Sequence, residues 1–194
     1  MVKKQSVPSE HARRRFLDAG LEVLGEHGHA GLKLAQVCRV AGTTTGSFYH
    51  AFADWAEYKS ALIDYWREEH SRRPIGDAIA VDDPRERIDF LIGVGLGLDR
   101  ASEAAIRVWS THDSGVRAHL VEVDRERAEV IRETSAEVIG DADRAEKFAQ
   151  VAMYLLIGYQ MGTVDSLDAL RFGFESMLAG AMGDGPGPSW TGPA

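Results

Sequence analysis

The chain has 194 residues, 44% hydrophobic and 27% charged, an ordinary globular composition with room for one or two domains and a real core. No run of about 18 apolar residues suggests a membrane span, and the basic start MVKKQSVPSEHARRRF lacks the apolar core of a secretory signal. The lone Cys38 excludes an intramolecular disulfide and fits a reducing, cytoplasmic location.

A formal net charge of -8 is unevenly spread. Residues 1–60 carry 8 Lys+Arg against 6 Asp+Glu, and the rest carry 14 against 24. Lys3, Lys4, Arg13, Arg14 and Arg15 gather before or at the start of the first expected helix, residues 13–28, where a basic arm could lie on phosphates. The next helix is expected from Leu34, with Leu34, Val37, Cys38 and Ala41 at i, i+3, i+4 and i+7 on one buried face. Gly42 stands where a helix ends and turns, and Thr44 where an N-cap hydroxyl opens the following helix. In that second helix, about residues 45–51, Phe48 and Phe52 pack inward. Thr44, Thr45, Ser47, Tyr49 and His50 are left facing outward as groups suited to base edges and phosphates. Gly46 in its first turn costs about 1 kcal/mol relative to Ala, which makes sense if the backbone approaches another surface closely. The pattern is a DNA-reading helix-turn-helix.

These motifs, with residues 13–28 (RRRFLDAGLEVLGEHG), residues 34–52 and the aromatic set Phe48-Tyr49 and Phe52, resemble the DNA-binding domain of the TetR family of bacterial transcriptional regulators. The chain departs from that family's pattern with Lys33 at the cap of the first motif helix, Thr43 in place of Val, and Trp55 in place of a phosphate-contacting Lys. Lys33 and Lys59 are the candidates to supply the missing charge. The resemblance implies an all-α fold: a three-helix DNA-binding head in residues 1–53, a helical effector-binding and dimerisation domain in residues 54–182, and a tail in residues 183–194. It implies a repressor that binds a palindromic double-stranded DNA operator as a homodimer and is released by a small-molecule effector. An activator, or a ligand-independent DNA-binding protein, is the alternative. The expected DNA-binding residues are Lys33, Thr43, Thr44, Thr45, Gly46, Ser47, Tyr49, His50 and Lys59.

Beyond the head the pattern is helical, with elements expected at residues 54–72, 102–111, 115–139, 143–164 and 167–182. Residues 91–98, LIGVGLGL, could be a strand. Their glycines lack the dinucleotide fingerprint spacing, and a helix opened by Asp83-Pro84, with Ile88, Leu91, Ile92, Gly95 and Leu96 on one side, reads better. Its glycines would serve a tight crossing or a ligand pocket. The charged run 124–129 reads as a solvated face, and the Gly/Pro-rich end GDGPGPSWTGPA as disordered, with Trp190 unaccounted for.

Candidate ligand contacts are Tyr65, Trp66, Phe90, Trp109, His112 and Tyr154, with His119 and Met153 also available; as a set they suit a mostly apolar pocket. Val151, Leu155, Leu156, Tyr159, Gly162, Leu170, Phe174 and Met177 lie on two apolar faces expected to form a four-helix dimer interface. No metal site is expected, since His112 and His119 would stand about 10 Å apart on a continuous helix. No cofactor is expected either. Without a GxSxG elbow, an HExxH pair or a P-loop, the chain is not expected to be an enzyme.

Overall fold

A computed structural model of the chain describes residues 10–183; Lys3, Lys4, Trp190 and all but the first residue of the expected tail lie outside them. The described residues form helices α1 (Glu10–Gly31), α2 (Leu34–Val40), α3 (Thr45–Ala51), α4 (Trp55–Arg67), α5 (Arg73–Ile79), α6 (Pro84–Gly97), α7 (Arg100–Ser110), α8 (Ser114–Ile139), α9 (Ala142–Met161) and α10 (Leu167–Met182). The ambiguous stretch 91–98 is helical through Gly97. A π-helical turn, Glu68–Arg72, joins α4 to α5. The helix therefore continues where an end at 72 was expected, because Pro74 sits in the first turn of α5, where a missing N–H costs nothing.

Side chains start the helices where the sequence supplies them. Thr44, Asp54, Asp99, Asp141 and Ser166 each accept a hydrogen bond from the backbone N–H three residues on. Each such cap is worth about 1 kcal/mol. Lys33 makes no cap bond to α2.

The described residues fall into two compact units, one running to Gly76 and including residues 97–126, the other comprising residues 77–96 and 127 onward. The first has a core of Phe16, Val23, Leu24, Val37, Phe48, Phe52, Tyr58, Leu62, Trp66, Ile106 and Trp109. Its aromatic rings meet edge to face: Phe16 on Phe48 at 5.4 Å and Phe52 on Tyr58 at 5.1 Å. Such pairs contribute about 0.5–1.5 kcal/mol each beyond area burial. The same unit contains charged groups that the sequence suggested were solvated. Arg107, only 8% exposed, donates from both terminal nitrogens to Asp124 at 2.8 Å, and Glu126 accepts from Arg67 at 2.5 Å. Asp124 and Glu126 of the run 124–129 thus have partners on helices distant in sequence, whereas Arg125 and Glu129 are exposed and pair locally with Glu122 and Arg132, as a solvated face would.

In the second unit α9 and α10 pack closely together. Arg87 of α6 pairs with Glu137 at 2.7 Å, and Arg144 donates to the Ala181 carbonyl at the end of α10 at 2.8 Å. Ile88, Phe148, Ala149, Ala152, Leu156, Leu170 and Phe174 are buried there. Leu156, Leu170 and Phe174, expected at a dimer interface, are 5–6% exposed within this unit. That part of the expected interface is corrected: periodicity identified an apolar face, and the face is consumed by packing inside the chain. Val151 at 42%, Tyr154 at 69%, Leu167 at 41% and Phe172 at 71% are among the outward apolar side chains of the same two helices. Leu155, Tyr159 and Met177 are half-buried, and Gly162 is exposed and caps α9.

Candidate nucleic-acid interface

The turn between α2 and α3 is built on Gly42, whose φ of 60° suits glycine. Its N–H bonds the Arg39 carbonyl at 3.1 Å and its own carbonyl accepts from Arg15 at 3.3 Å. Thr44 then accepts from the Ser47 N–H at 3.3 Å, and the two hydroxyls lie 3.2 Å apart. Thr44 is therefore first the cap that starts α3, with an exposed hydroxyl besides.

Phe48 and Ala51 bury the inner side of α3. Thr45, Gly46, Ser47, Tyr49 and His50 are exposed, and Thr43 is half-buried. Tyr49 stands 57% exposed with its ring edge-on to Phe48 at 5.4 Å, so a solvent-facing ring is braced by a buried one. A Cβ at Gly46 would meet only the Thr44 hydroxyl, at 3.6 Å. Nothing inside the protein requires a glycine there.

Behind the recognition helix, Arg13 donates to the Ala51 carbonyl and to Glu57 at 3.0 Å, with its guanidinium 4.3 Å from the Phe52 ring. Glu57 also accepts from the Ala53 N–H at 2.6 Å, and that bond, with Arg13, holds its carboxyl below the usual range. Arg14 pairs with Glu69 at 3.3 Å. Of the three arginines expected in a basic arm, Arg13 is a half-buried clamp, Arg14 is exposed but paired with Glu69, and Arg15 is exposed beside the turn. Lys33 is exposed, and so is Arg39, held at 2.9 Å by Gln36. Arg39 was not among the expected contacts, although its place opposite Val37 and Cys38 was visible in the helical repeat. Lys59 is half-buried and lines a hollow with Trp109, Asp113 and His119. Trp55, at the position of the family's Lys, stacks on Tyr58 at 4.9 Å.

The expected ligand residues are divided between the two units. Tyr65, Trp66, Trp109 and His112 belong to the first unit, Phe90 and Tyr154 to the second. Trp66 is fully buried with its indole N–H donating to Glu103 at 2.9 Å. Tyr65 donates to Asp18, and its hydroxyl is pushed up to about 12 by burial first and the nearby Asp18 carboxylate second. Trp109 is 1% exposed, with His29 stacked on it at 4.6 Å. His112 is exposed, Met153 is buried, and His119 lies 3.0 Å from Asp64. Phe90 and Tyr154 are exposed. The apolar cavity of the second unit is bounded by other residues, among them Ile88, Phe148, Ala152, Leu156 and Phe174. Single-residue chemistry picked out large rings; the cavity is walled mainly by aliphatic side chains.

An all-helical chain whose helix-turn-helix presents a row of short polar groups on an aromatic support has the form of a DNA-binding regulator. Residues 16–57 match the family model described as bacterial regulatory proteins, tetR family, so this segment is similar to that family of transcription regulators. A curated relative, the HTH-type transcriptional regulator BetI of Rhizobium meliloti, is 23% identical over 192 residues, covering 91% of this chain and 94% of its own. Among solved structures, a TetR transcription regulator from Haloarcula marismortui superposes with a TM-score of 0.73 at 17% identity, over 88% of this chain and 97% of that one. A transcriptional regulator from Saccharomonospora viridis in complex with choline gives 0.69 at 18% identity, over 87% and 96%. Among the described residues, no helix is long and apolar enough to cross a membrane.

Proposed function

We propose that this protein is a repressor that binds a palindromic double-stranded DNA operator as a homodimer and is released by a small molecule. The observation that carries this reading is the outward row Thr45, Ser47, Tyr49 and His50 on a helix whose other side is fixed by Phe48. Short hydrogen-bonding side chains on a rigid helix suit base edges and phosphates in a major groove. Gly46 adds support, because a position that the protein's own packing leaves open allows close approach of a phosphate backbone. Thr43, Thr44, Lys33, Arg15 and Arg39 flank the row as positioning contacts. Lys59, whose charge attracts the Asp113 carboxylate and opposes protonation of His29, is left out of this set.

Dimerisation is assigned to the outward side of α9 and α10, with Val151, Tyr154, Leu167 and Phe172. Two recognition helices one helical turn of DNA apart would then demand a two-fold site. Residues 1–53 serve as the head and 54–182 as the effector and dimer region in this reading. The effector acts only through differential affinity: a coupling of about 1 to 3 kcal/mol weakens DNA binding about 5- to 150-fold.

The test is selection by the full chain from a random duplex pool. A palindrome with half-site centres about 34 to 36 Å apart is expected, and a reporter carrying it upstream of a promoter should be silenced. Failure to enrich any sequence overturns DNA recognition, whereas enrichment with reporter activation overturns repression alone.

A further inference from the structure

The apolar cavity of the second unit measures about 50 Å³, more than the share of liquid volume of one water, about 30 Å³. Its floor is buried, and its rim, formed by Leu91, Ile92, Gly95, Ile131 and Met177, is half-exposed. No charged or hydrogen-bonding side chain lines it. Water held there would lack the two to four polar partners it needs, and a charged group would be stripped of solvent without a partner.

We propose that this cavity seats the apolar end of an uncharged small molecule, an alkyl chain or compact hydrocarbon group, and excludes cations. The inference rests on the ligand-release reading above and names the chemical class of the effector. A quaternary ammonium is held by a cage of aromatic faces; this lining offers the rings of Phe148 and Phe174 with no carboxylate beside them. The choline-bound neighbour shares 18% identity with this chain, which carries fold and not ligand. Met177 on the rim is unbranched and adaptable, so an entering chain displaces a flexible side chain instead of a helix. Gly95 sets the width, because a Cβ there would meet the Phe174 ring at 3.8 Å, in ordinary contact and in what is now open cavity.

The experiment is methyl NMR of the full chain labelled at Ile and Met, titrated separately with xenon, n-hexane and choline chloride. Saturable shifts at the Ile88, Ile92, Ile131 and Met177 methyls are expected with xenon and hexane, and none with choline. Gly95→Leu should abolish them. If that variant fails to fold, Gly95→Ala, which fills one methyl's worth of space, should weaken hexane binding about four-fold. Shifts of these methyls by choline, shifts by hexane that never saturate, or equal hexane binding in wild type and Gly95→Ala each overturn the assignment. The spectra are read without DNA, so the two readings fail separately. An empty cavity in a protein that still binds its operator removes this inference alone. Saturable hexane binding that leaves operator affinity unchanged supports the cavity assignment and removes ligand release.

Discussion

The hydroxyl of Tyr58 occupies the space that a side chain on Gly20 would need: it donates to the Phe16 carbonyl at 2.9 Å and lies 2.1 Å from where a Gly20 Cβ would be. Leu62 closes the same space at 2.9 Å. Gly20→Ala should therefore destabilise the protein by about 2–3 kcal/mol from overpacking, despite alanine's gain of about 1 kcal/mol in a helix. Tyr58→Phe, which only removes the bond, should cost about 1 kcal/mol. Urea unfolding of both variants measures the difference, and a Gly20→Ala protein as stable as wild type would show that α1 and α4 do not cross here.

Arg13 and Arg15 are two positions apart and should behave oppositely. Arg13→Ala removes the clamp on Ala51 and Glu57 and should lower stability by about 1 kcal/mol, the pair being partly screened by solvent. Arg15→Ala should leave the melting temperature unchanged and weaken binding to every DNA sequence. Thr45→Ala and His50→Ala should instead alter which sequence is preferred. Fluorescence anisotropy with matched and mismatched duplexes separates these outcomes.

Charge on the outer side of α9 and α10 should dissociate a dimer without unfolding the chain. Tyr154→Arg combined with Phe172→Glu, at positions 69% and 71% exposed, is expected to sediment as a folded monomer. Leu156→Arg, at a buried position, should unfold the second unit by burying an unpaired charge. A wild-type chain that sediments as a monomer at micromolar concentration would end the dimer proposal.

Acid should loosen the joint between α1 and α7. Burial against Trp109, then the Lys59 charge and more weakly His112, push the His29 imidazole below its ordinary range, with Asp113 opposing. A depressed folded value means that the unfolded chain binds the proton more readily. The stabilising contribution is full above the unfolded value of about 6.5 and is lost as pH falls from there through the folded value. His29→Gln should flatten the change in melting temperature between pH 7.5 and 5.5, roughly the upper part of that window; an unchanged slope would remove His29 as its source.

Much of the head was legible because its signals are local. The Thr44 cap reaches three residues to Ser47, and Phe48 and Phe52 mark one side of a short helix. The expected range 167–182 matches α10, whose ends the structure shows to be capped by Ser166 and Gly183. Asp124 and Glu126 were misread as part of a solvated face because Arg107 and Arg67, which neutralise them, come from other helices. Leu156 and Phe174 were misassigned for a related reason. An apolar stripe states that something covers it, and only packing states whether that is the same chain or a second one.

Helix α3, TGSFYHA, carries no lysine, arginine or carboxylate. In the proposed operator complex, counterion release then comes from its surroundings, among the described residues from Arg15, Lys33 and Arg39 in each head. A dimer that neutralised about six phosphates with them would lose affinity with a log–log salt slope near about -5. A doubling of salt would cost such a complex about 30-fold, while the discrimination carried by the neutral row on α3 would persist at ionic strengths where its grip on the backbone had faded.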